Sequence, residues 1–322
     1  MGQMTSLVPA QVALAQRAGR YAHLSEEERK RTAAQAVALQ DLDLLWALTE
    51  AHLTLYGGQG ARVSPLTLRS YRTGVRVFLT WAGQEALSLL RPKRDTGAAY
   101  VRHLEGQGLE VSTVRVRLAA ARAFYRALRW ADLTDSRPFA EVRAAPDRTP
   151  RHEKRKPYTE AEVTAMLDAA PPRERVLLLL GAHTGLRVAE LVALEWRDVD
   201  LEAGEIVVRR GKGGKTGRVY ASKRLCAALR EWKAQGSGEG AVLGYVNADS
   251  ARHFLGKVAA AAGVASKGRA LHSLRHYSGT RIYRETHDLK RVADHLRHAD
   301  VSTSAIYAQH AEDELRATTA DW

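Results

Sequence analysis

At 322 residues with 45% hydrophobic side chains, the chain has length for about two domains and is too apolar to be disordered. Its 49 Lys and Arg against 36 Asp and Glu leave a formal net charge of +13, which favours a polyanionic partner, nucleic acid ahead of an anionic membrane. The single cysteine, Cys226, excludes an internal disulfide and a cysteine-rich zinc site, and the longest apolar run, Val176 to Leu180, falls far short of the roughly 20 residues that span a bilayer.

Residues 1–40 are rich in Ala, Gln and Arg, with an acidic-then-basic run SEEERKR at 25–31, and predict loose helix packed on the neighbouring domain or on a partner. MGQMTS formally fits an N-myristoylation pattern, one short enough to arise often by chance, and no charged segment followed by an apolar core marks a secretory leader. The expected setting is the cytoplasm, in association with the nucleoid. Four helices follow. DLDLLWALTEAHLTLYG is the first, ending at Gly57-Gly58. SPLTLRSYRTGVRVFLTWAG is the second, with Ser64 as N-cap, Pro65 at the first helical position and Gly83 as the stop. DTGAAYVRHLEGQG is the third, and STVRVRLAAARAFYRALRWAD, capped by Ser112, the fourth. No strand pattern interrupts them, so residues 41–142 predict a helical bundle.

Arginines stripe this bundle. Arg69, Arg72 and Arg76 share one face of the second helix, and Arg115, Arg122, Arg126 and Arg129 share one face of the fourth. Between residues 60 and 130 there are 13 Lys and Arg against 4 Asp and Glu, whereas a plain solvated face mixes both signs. Phosphate contact is therefore the preferred reading of both stripes. The stretch 143–157, RAAPDRTPRHEKRKP, holds three prolines and six Lys and Arg without apolar periodicity. It predicts a basic linker, either a simple tether or a segment that follows a DNA backbone through Lys154, Arg155 and Lys156.

The second half, residues 158–322, restarts with a capping box in which Thr159 pairs with Glu162. A helix to Ala169 follows, then a buried one in RERVLLLLGAHTG, and VAELVAL continues after Arg187. GEIVVRRGKGGKTGRVYAS alternates and turns at Gly211–Gly214, so it predicts a β-hairpin, and helices resume at 222–235, 249–262, 271–285, 288–297 and 301–310. The expected fold class is mainly α: a helical N-terminal domain and a mixed, mostly α C-terminal domain with one small sheet.

LHSLRHYSGT and LRHADVSTSAIYAQH place His272, Arg275, His298 and Tyr307 within a short span, and TGLRVAEL adds Arg187. These are the parts needed to attack a phosphodiester. Charge develops on the non-bridging oxygens during the attack, and the fork of an arginine can hold two such oxygens. Six histidines from 272 to 310 also raise a metal site, but HEXXH is absent and no acidic or Cys ligands accompany them in pattern, so no metal is expected.

TGLR-x-x-EL, H-x-L-R-H and the later His298/Tyr307 pair, in that order, resemble the tyrosine recombinase (phage integrase) family, particularly its Xer-like members. The resemblance covers most of the chain, with a core-binding, SAM-like DNA-binding domain at 41–142 and a catalytic domain at 158–322. It implies Tyr307 as nucleophile, forming a 3′-phosphotyrosyl ester and freeing a 5′-hydroxyl without metal, ATP or other cofactor. It implies Arg187 and Arg275 as the phosphate clamp and Lys212, with Lys215 as the fallback, as the acid for the leaving oxygen. His272 and His298 would bond the phosphate and assist proton transfer, and Glu190 would orient Arg187. Double-stranded DNA with a specific site is the implied partner, clamped between the two domains by a homotetramer, with or without a second recombinase or accessory factor. The segment after Tyr307 would dock on a neighbouring protomer or form a simple tail. Two alternatives stand beside this: an architectural DNA-binding relative without chemistry, and a type IB topoisomerase-like or telomere-resolving enzyme. One departure is Arg297, where the family usually has Gly before the histidine. If that position requires φ > 0, the arginine costs on the order of 1 kcal/mol, or it adds a phosphate contact.

Overall fold

The computed structural model describes residues 10–149, 156–209, 216–236, 238–266, 268–298 and 300–309. It divides into two compact units, residues 1–148 and 149–322, so the boundary falls within the basic stretch at 143–157. Lys154, Arg155, Lys212, Lys215 and the segment after Gln309 lie outside the described residues.

The described residues of the first unit form the helices α1 (Ala10–Ala22), α2 (Glu26–Ala38), α3 (Leu42–Tyr56), α4 (Pro65–Gln84), α5 (Thr96–Gly106) and α6 (Val111–Trp130). The acidic-basic run near residue 25 is the start of α2, where Ser25 and Glu28 form a reciprocal capping box. Ser64 caps α4 as its sequence position suggests, accepting from the Thr67 N–H at 3.0 Å. Ser112 does not cap α6, whose N-cap lies two residues earlier at Glu110, with no side-chain bond there. Helix α4 also runs past Gly83 to Gln84. The core is aromatic, with Phe78, Tyr100, Phe124, Tyr125 and Phe139 meeting largely edge to face, the arrangement favoured by the ring quadrupoles. Gly74 lets α4 approach α6, because a Cβ there would stand 2.6 Å from Ala120 Cβ.

The arginine stripes divide on inspection. Arg69, Arg72, Arg76, Arg115 and Arg126 are exposed, although Arg72 is tied to Asp43 at 2.5 Å. Arg122 and Arg129 are half-buried and donate to backbone carbonyls of the segment after α6. Arg122 reaches Phe139 O at 3.0 Å and also Val142 O, and Arg129 reaches Ser136 O at 3.1 Å. These two pin the chain leaving the helix.

The second unit holds α7 (Glu160–Ala169), α8 (Pro172–Thr184), α9 (Val188–Val192), β1 (Val199–Asp200), β2 (Glu205–Val208), β3 (Gly217–Tyr220), α10 (Lys223–Ala234), α11 (Ala248–Ala261), α12 (Leu271–Thr286), α13 (Leu289–Leu296) and α14 (Ala305–Gln309). The expected hairpin is present with an additional short strand, giving an antiparallel sheet of order β1-β2-β3 in which Ile206 faces Val219. Thr159 and Glu162 cap α7, and Arg269 grips the same carboxylate at 2.5 and 2.8 Å. The apolar run of α8 is the centre of the core, with Val176 to Leu180 all fully buried. Against it packs α12, at a close approach where a Cβ on Gly181 would meet Leu274 Cδ1 at 2.9 Å. No helix among the described residues is long and apolar enough to cross a membrane.

Candidate active site

Helix α8 stops at Gly185, whose left-handed conformation (φ 59°, ψ 25°) turns the chain so that Arg187 opens α9 as its N-cap. Three residues on, the buried Glu190 returns its carboxylate to that turn. It accepts from the Arg187 backbone N–H at 2.8 Å and from Arg187 Nη1 at 2.9 Å. Arg187 is thereby fixed in direction while its side chain stays 29% exposed.

Arg275 rises from the second turn of α12 and is only 2% exposed. Its guanidinium donates to two backbone carbonyls, Gly185 O where α8 ends and Leu296 O where α13 ends. Both are orphan acceptors at helix C-termini, so one side chain satisfies two termini from separate parts of the chain. Burial pushes this guanidinium down to about 10, with repulsion from Arg187 in the same direction.

Tyr307, on α14, is also 2% exposed and packs with Val292 and Leu296 of α13 in a small satellite core. Its ring lies nearly parallel to that of His298, with centroids 6.3 Å apart, and 5.7 Å from that of His276. The ring rests on α12 only because residue 279 is glycine: a Cβ there would stand 2.6 Å from Tyr307 Cε1 and 2.8 Å from Leu296 Cδ1. Burial pushes the phenol up to about 12, while Arg275 and Arg187 pull it back. Both arginines are therefore electrostatic neighbours of the hydroxyl.

His298 shares Nδ1 with Ser304 Oγ at 2.9 Å. Burial first, then Arg275, Arg187, His272 and Arg297, hold it down to about 4, so it is neutral at physiological pH. If the Ser304 hydroxyl donates to Nδ1, the proton sits on Nε2 and that nitrogen is a donor. His272 is exposed in the first turn of α12, its ring 4.6 Å from that of His276. The structure thus gathers Arg187, Glu190, Arg275, His298 and Tyr307, with His272 close enough to be felt by His298. Lys212 lies outside the described residues. Among the described residues no group of three or more His, Cys, Asp or Glu is placed to hold a metal ion.

Several site residues carried no readable signal in the sequence. His295 bonds Ser278 Oγ through Nε2 at 2.7 Å and is likewise held down to about 4, by burial and then by Arg297 and Arg275. Ser304 and Gly279 are ordinary residues until the fold brings His298 and Tyr307 against them. An isolated glycine inside a helical pattern does suggest a packing reason, and at Gly279 that reason is the Tyr307 ring. Arg297 does adopt the left-handed conformation considered for it, φ 54° and ψ 49°, at the C-cap of α13. Its side chain turns inward to Glu190, with Nη2 2.6 Å from Oε2.

The "Phage integrase family" pattern matches residues 156–314, and "Phage integrase, N-terminal SAM-like domain" matches residues 59–132. The chain is 32% identical over 266 residues to tyrosine recombinase XerA of Thermococcus kodakarensis, covering 79% of this chain and 88% of that one. It is 30% identical over 264 residues to tyrosine recombinase XerC of Xanthomonas campestris pv. campestris, covering 76% and 79%. Among solved structures, the XerH site-specific recombinase bound to palindromic difH in a post-cleavage complex superposes with a TM-score of 0.66 at 18% identity, covering 99% of this chain and 98% of that one. A lambda integrase dimer bound to a COC′ core site superposes with a TM-score of 0.64 at 17% identity, covering 81% and 94%.

Proposed function

Because this chain belongs to the phage integrase family and is a tyrosine recombinase, we propose that it cleaves and rejoins duplex DNA at a specific site with Tyr307 as nucleophile. The observation that carries this reading is the convergence of Arg187, Arg275 and His298 on the Tyr307 phenol, from four separate segments of the chain. That the XerH and lambda integrase structures are DNA complexes supports duplex DNA as the partner.

In this chemistry Tyr307 Oη attacks phosphorus, the bond from phosphorus to the 5′-oxygen breaks, and a 3′-phosphotyrosyl ester remains. The phenol loses its proton to a base and the departing oxygen gains one. Lys212 is assigned as that acid. The ester conserves the energy of the broken bond, so a 5′-hydroxyl can reverse the step without ATP. With the phenol pushed up to about 12, almost all of it is protonated near neutral pH, so proton removal accompanies attack rather than preceding it. Arg187 and Arg275 neutralise the charge growing on the non-bridging oxygens, and neutral His298 donates from Nε2 to one of them. His272 assists proton transfer from the exposed start of α12. Because Tyr307 is 2% exposed, the short α14 must shift before its hydroxyl reaches phosphorus. A synaptic tetramer is the assembly that pairwise strand exchange requires, and the exposed arginines Arg69, Arg72, Arg76, Arg115 and Arg126, together with Lys156, are assigned to the DNA backbone.

The test is covalent capture. The protein is mixed with fragmented genomic DNA in EDTA and denatured in SDS, and the DNA that stays attached is sequenced. Adducts with the wild type that vanish in Tyr307→Phe, at unchanged DNA affinity, are the expected result. Adducts that persist in Tyr307→Phe would remove Tyr307 as nucleophile. DNA binding without any adduct would favour an architectural protein.

A further inference from the structure

Arg297 occupies a left-handed helix cap, where glycine or asparagine is at ease and a long side chain is strained. If the position had only to end α13, glycine would serve it better, so the side chain must return something. Its course is built into the fold. The stem passes where a Cβ on Gly217, the first residue of β3, would stand 2.8 Å from Arg297 Cδ. The guanidinium reaches Glu190 Oε2 with Nη2 at 2.6 Å, while Nη1 is buried without a hydrogen-bond partner. Glu190 is 2% exposed in its side chain and pairs with both Arg187 and Arg297. Its oxygens are divided between them: Oε1 takes Arg187 Nη1, and Oε2 takes Arg297 Nη2 together with the Arg187 backbone N–H.

That division limits Arg187 to a single side-chain bond. A carboxylate with both oxygens available draws an arginine into a two-pronged fork, the strongest geometry for the pair. Such a fork would turn the remaining N–H groups of Arg187 away from a substrate. We propose that Arg297 is a positioning residue for DNA cleavage: by occupying Glu190 Oε2 it prevents the Arg187–Glu190 fork and keeps the free edge of the Arg187 guanidinium available to the scissile phosphate. The inference rests on the phosphoryl-transfer reading above and assigns Arg297 no contact with DNA.

The experiment uses the full chain and a nicked suicide duplex built on a captured site, with single-turnover adduct formation, DNA affinity and thermal midpoint measured together. Arg297→Gly and Arg297→Asn both tolerate the left-handed cap, so either keeps the test valid should the other fold poorly. Each is expected to bind DNA within about twofold of wild type, to melt no earlier, and to form adduct at least about tenfold more slowly. In a Glu190→Gln background, where the amide no longer offers two anionic oxygens, the same substitution should cost less than about threefold, because the two residues act through one guanidinium. Wild-type cleavage rates in Arg297→Gly and Arg297→Asn overturn the proposal. So do effects that multiply fully across the double mutant, or a loss of DNA affinity that matches the loss of rate, which would make Arg297 a direct phosphate contact. Failure of the wild type to form any Tyr307-dependent adduct refutes the recombinase chemistry itself and is a different result from each of these.

Discussion

Arg187 and Arg275 are assigned the same chemical task, yet the structure gives them different mechanical ones, and alanine substitution separates the two. Arg275 lies 2% exposed and satisfies the terminal carbonyls of α8 and α13. A hydrogen bond from a charged donor is worth about 1.5–3 kcal/mol, so the two return roughly 3–6 kcal/mol. Against this stands the burial of the charge. A guanidinium pushed from 12.5 down to about 10 signals a cost of roughly 3 kcal/mol, which alanine recovers. Loss of the packed stem adds back about 1–2 kcal/mol. The balance for Arg275→Ala is a loss of about 3 kcal/mol, or roughly 6–12 °C in midpoint for a unit of this size. Arg187→Ala keeps its backbone bond to Glu190, and Glu190 keeps Arg297, so the expected loss stays below about 1 kcal/mol. Both variants should form adduct at least about 100-fold more slowly on a saturating suicide substrate. Differential scanning calorimetry and single-turnover capture read the two quantities independently. Equal midpoints for Arg187→Ala and Arg275→Ala would refute the carbonyl-bridging account, and an unimpaired rate in either would refute its place in the clamp.

Histidine provides a second check with a definite sign. His295 is held near 4 against an ordinary 6.5, so its neutral form stabilises the fold above pH 6.5 and that stability is lost as pH falls towards 4. Between pH 7.5 and 5.0 the wild type should lose about 2 kcal/mol more than His295→Gln in urea unfolding, with an NMR midpoint near 4 for the ring; parallel pH dependences would contradict the shift. Substituting Arg69, Arg76, Arg115 or Arg126 with Ala should reduce the salt slope of DNA binding by about 1 each and leave the midpoint unchanged. Arg122→Ala should instead lower stability by about 1–3 kcal/mol, and a stable Arg122→Ala with a reduced salt slope would return it to the DNA-facing stripe. Gly279→Ala should destabilise by about 1–3 kcal/mol through the clash with Tyr307 and Leu296, and a midpoint at or above wild type would show that the ring does not rest there.

Where the sequence was legible, local signals agreed with the fold. The Ser64-Pro65 start of α4, the Thr159/Glu162 box of α7 and the apolar run of α8 each state their structure within a few residues. Ser112 shows the limit, since an N-cap serine is recognisable only if the helix begins where its pattern suggests, and α6 begins two residues sooner. The two-residue β1 is too short to carry a pattern at all. Arg122 and Arg129 read as part of a basic stripe because helical spacing reports direction but not reach. Their carbonyl acceptors lie beyond the end of the helix, at Ser136, Phe139 and Val142. The same holds in the site. Residues rich in chemistry were visible as types in order, while their supports, Gly279, Ser304, His295 and the inward turn of Arg297, depend on contacts that no local window contains.

The electrostatics of the assembled site also bear on why such a cluster favours a transition state over a bound ground state. Arg187, Arg275 and Arg297 stand around one carboxylate, and the excess of positive charge is felt throughout: Arg275 is lowered by both other arginines, and His298 by all three. An anion entering the cluster relieves that mutual repulsion as well as meeting attractive partners. A phosphodiester brings one negative charge, and in the proposed reaction the state in which Tyr307 has attacked would carry more on the same oxygens. The relief therefore grows as the reaction proceeds, which is the condition for binding energy to lower a barrier rather than merely to hold substrate. Glu190 sets the limit on this effect. If its carboxylate fully neutralised Arg187, the cluster would lose much of its response to the added charge, and the hold of Arg297 on the second oxygen keeps that neutralisation partial.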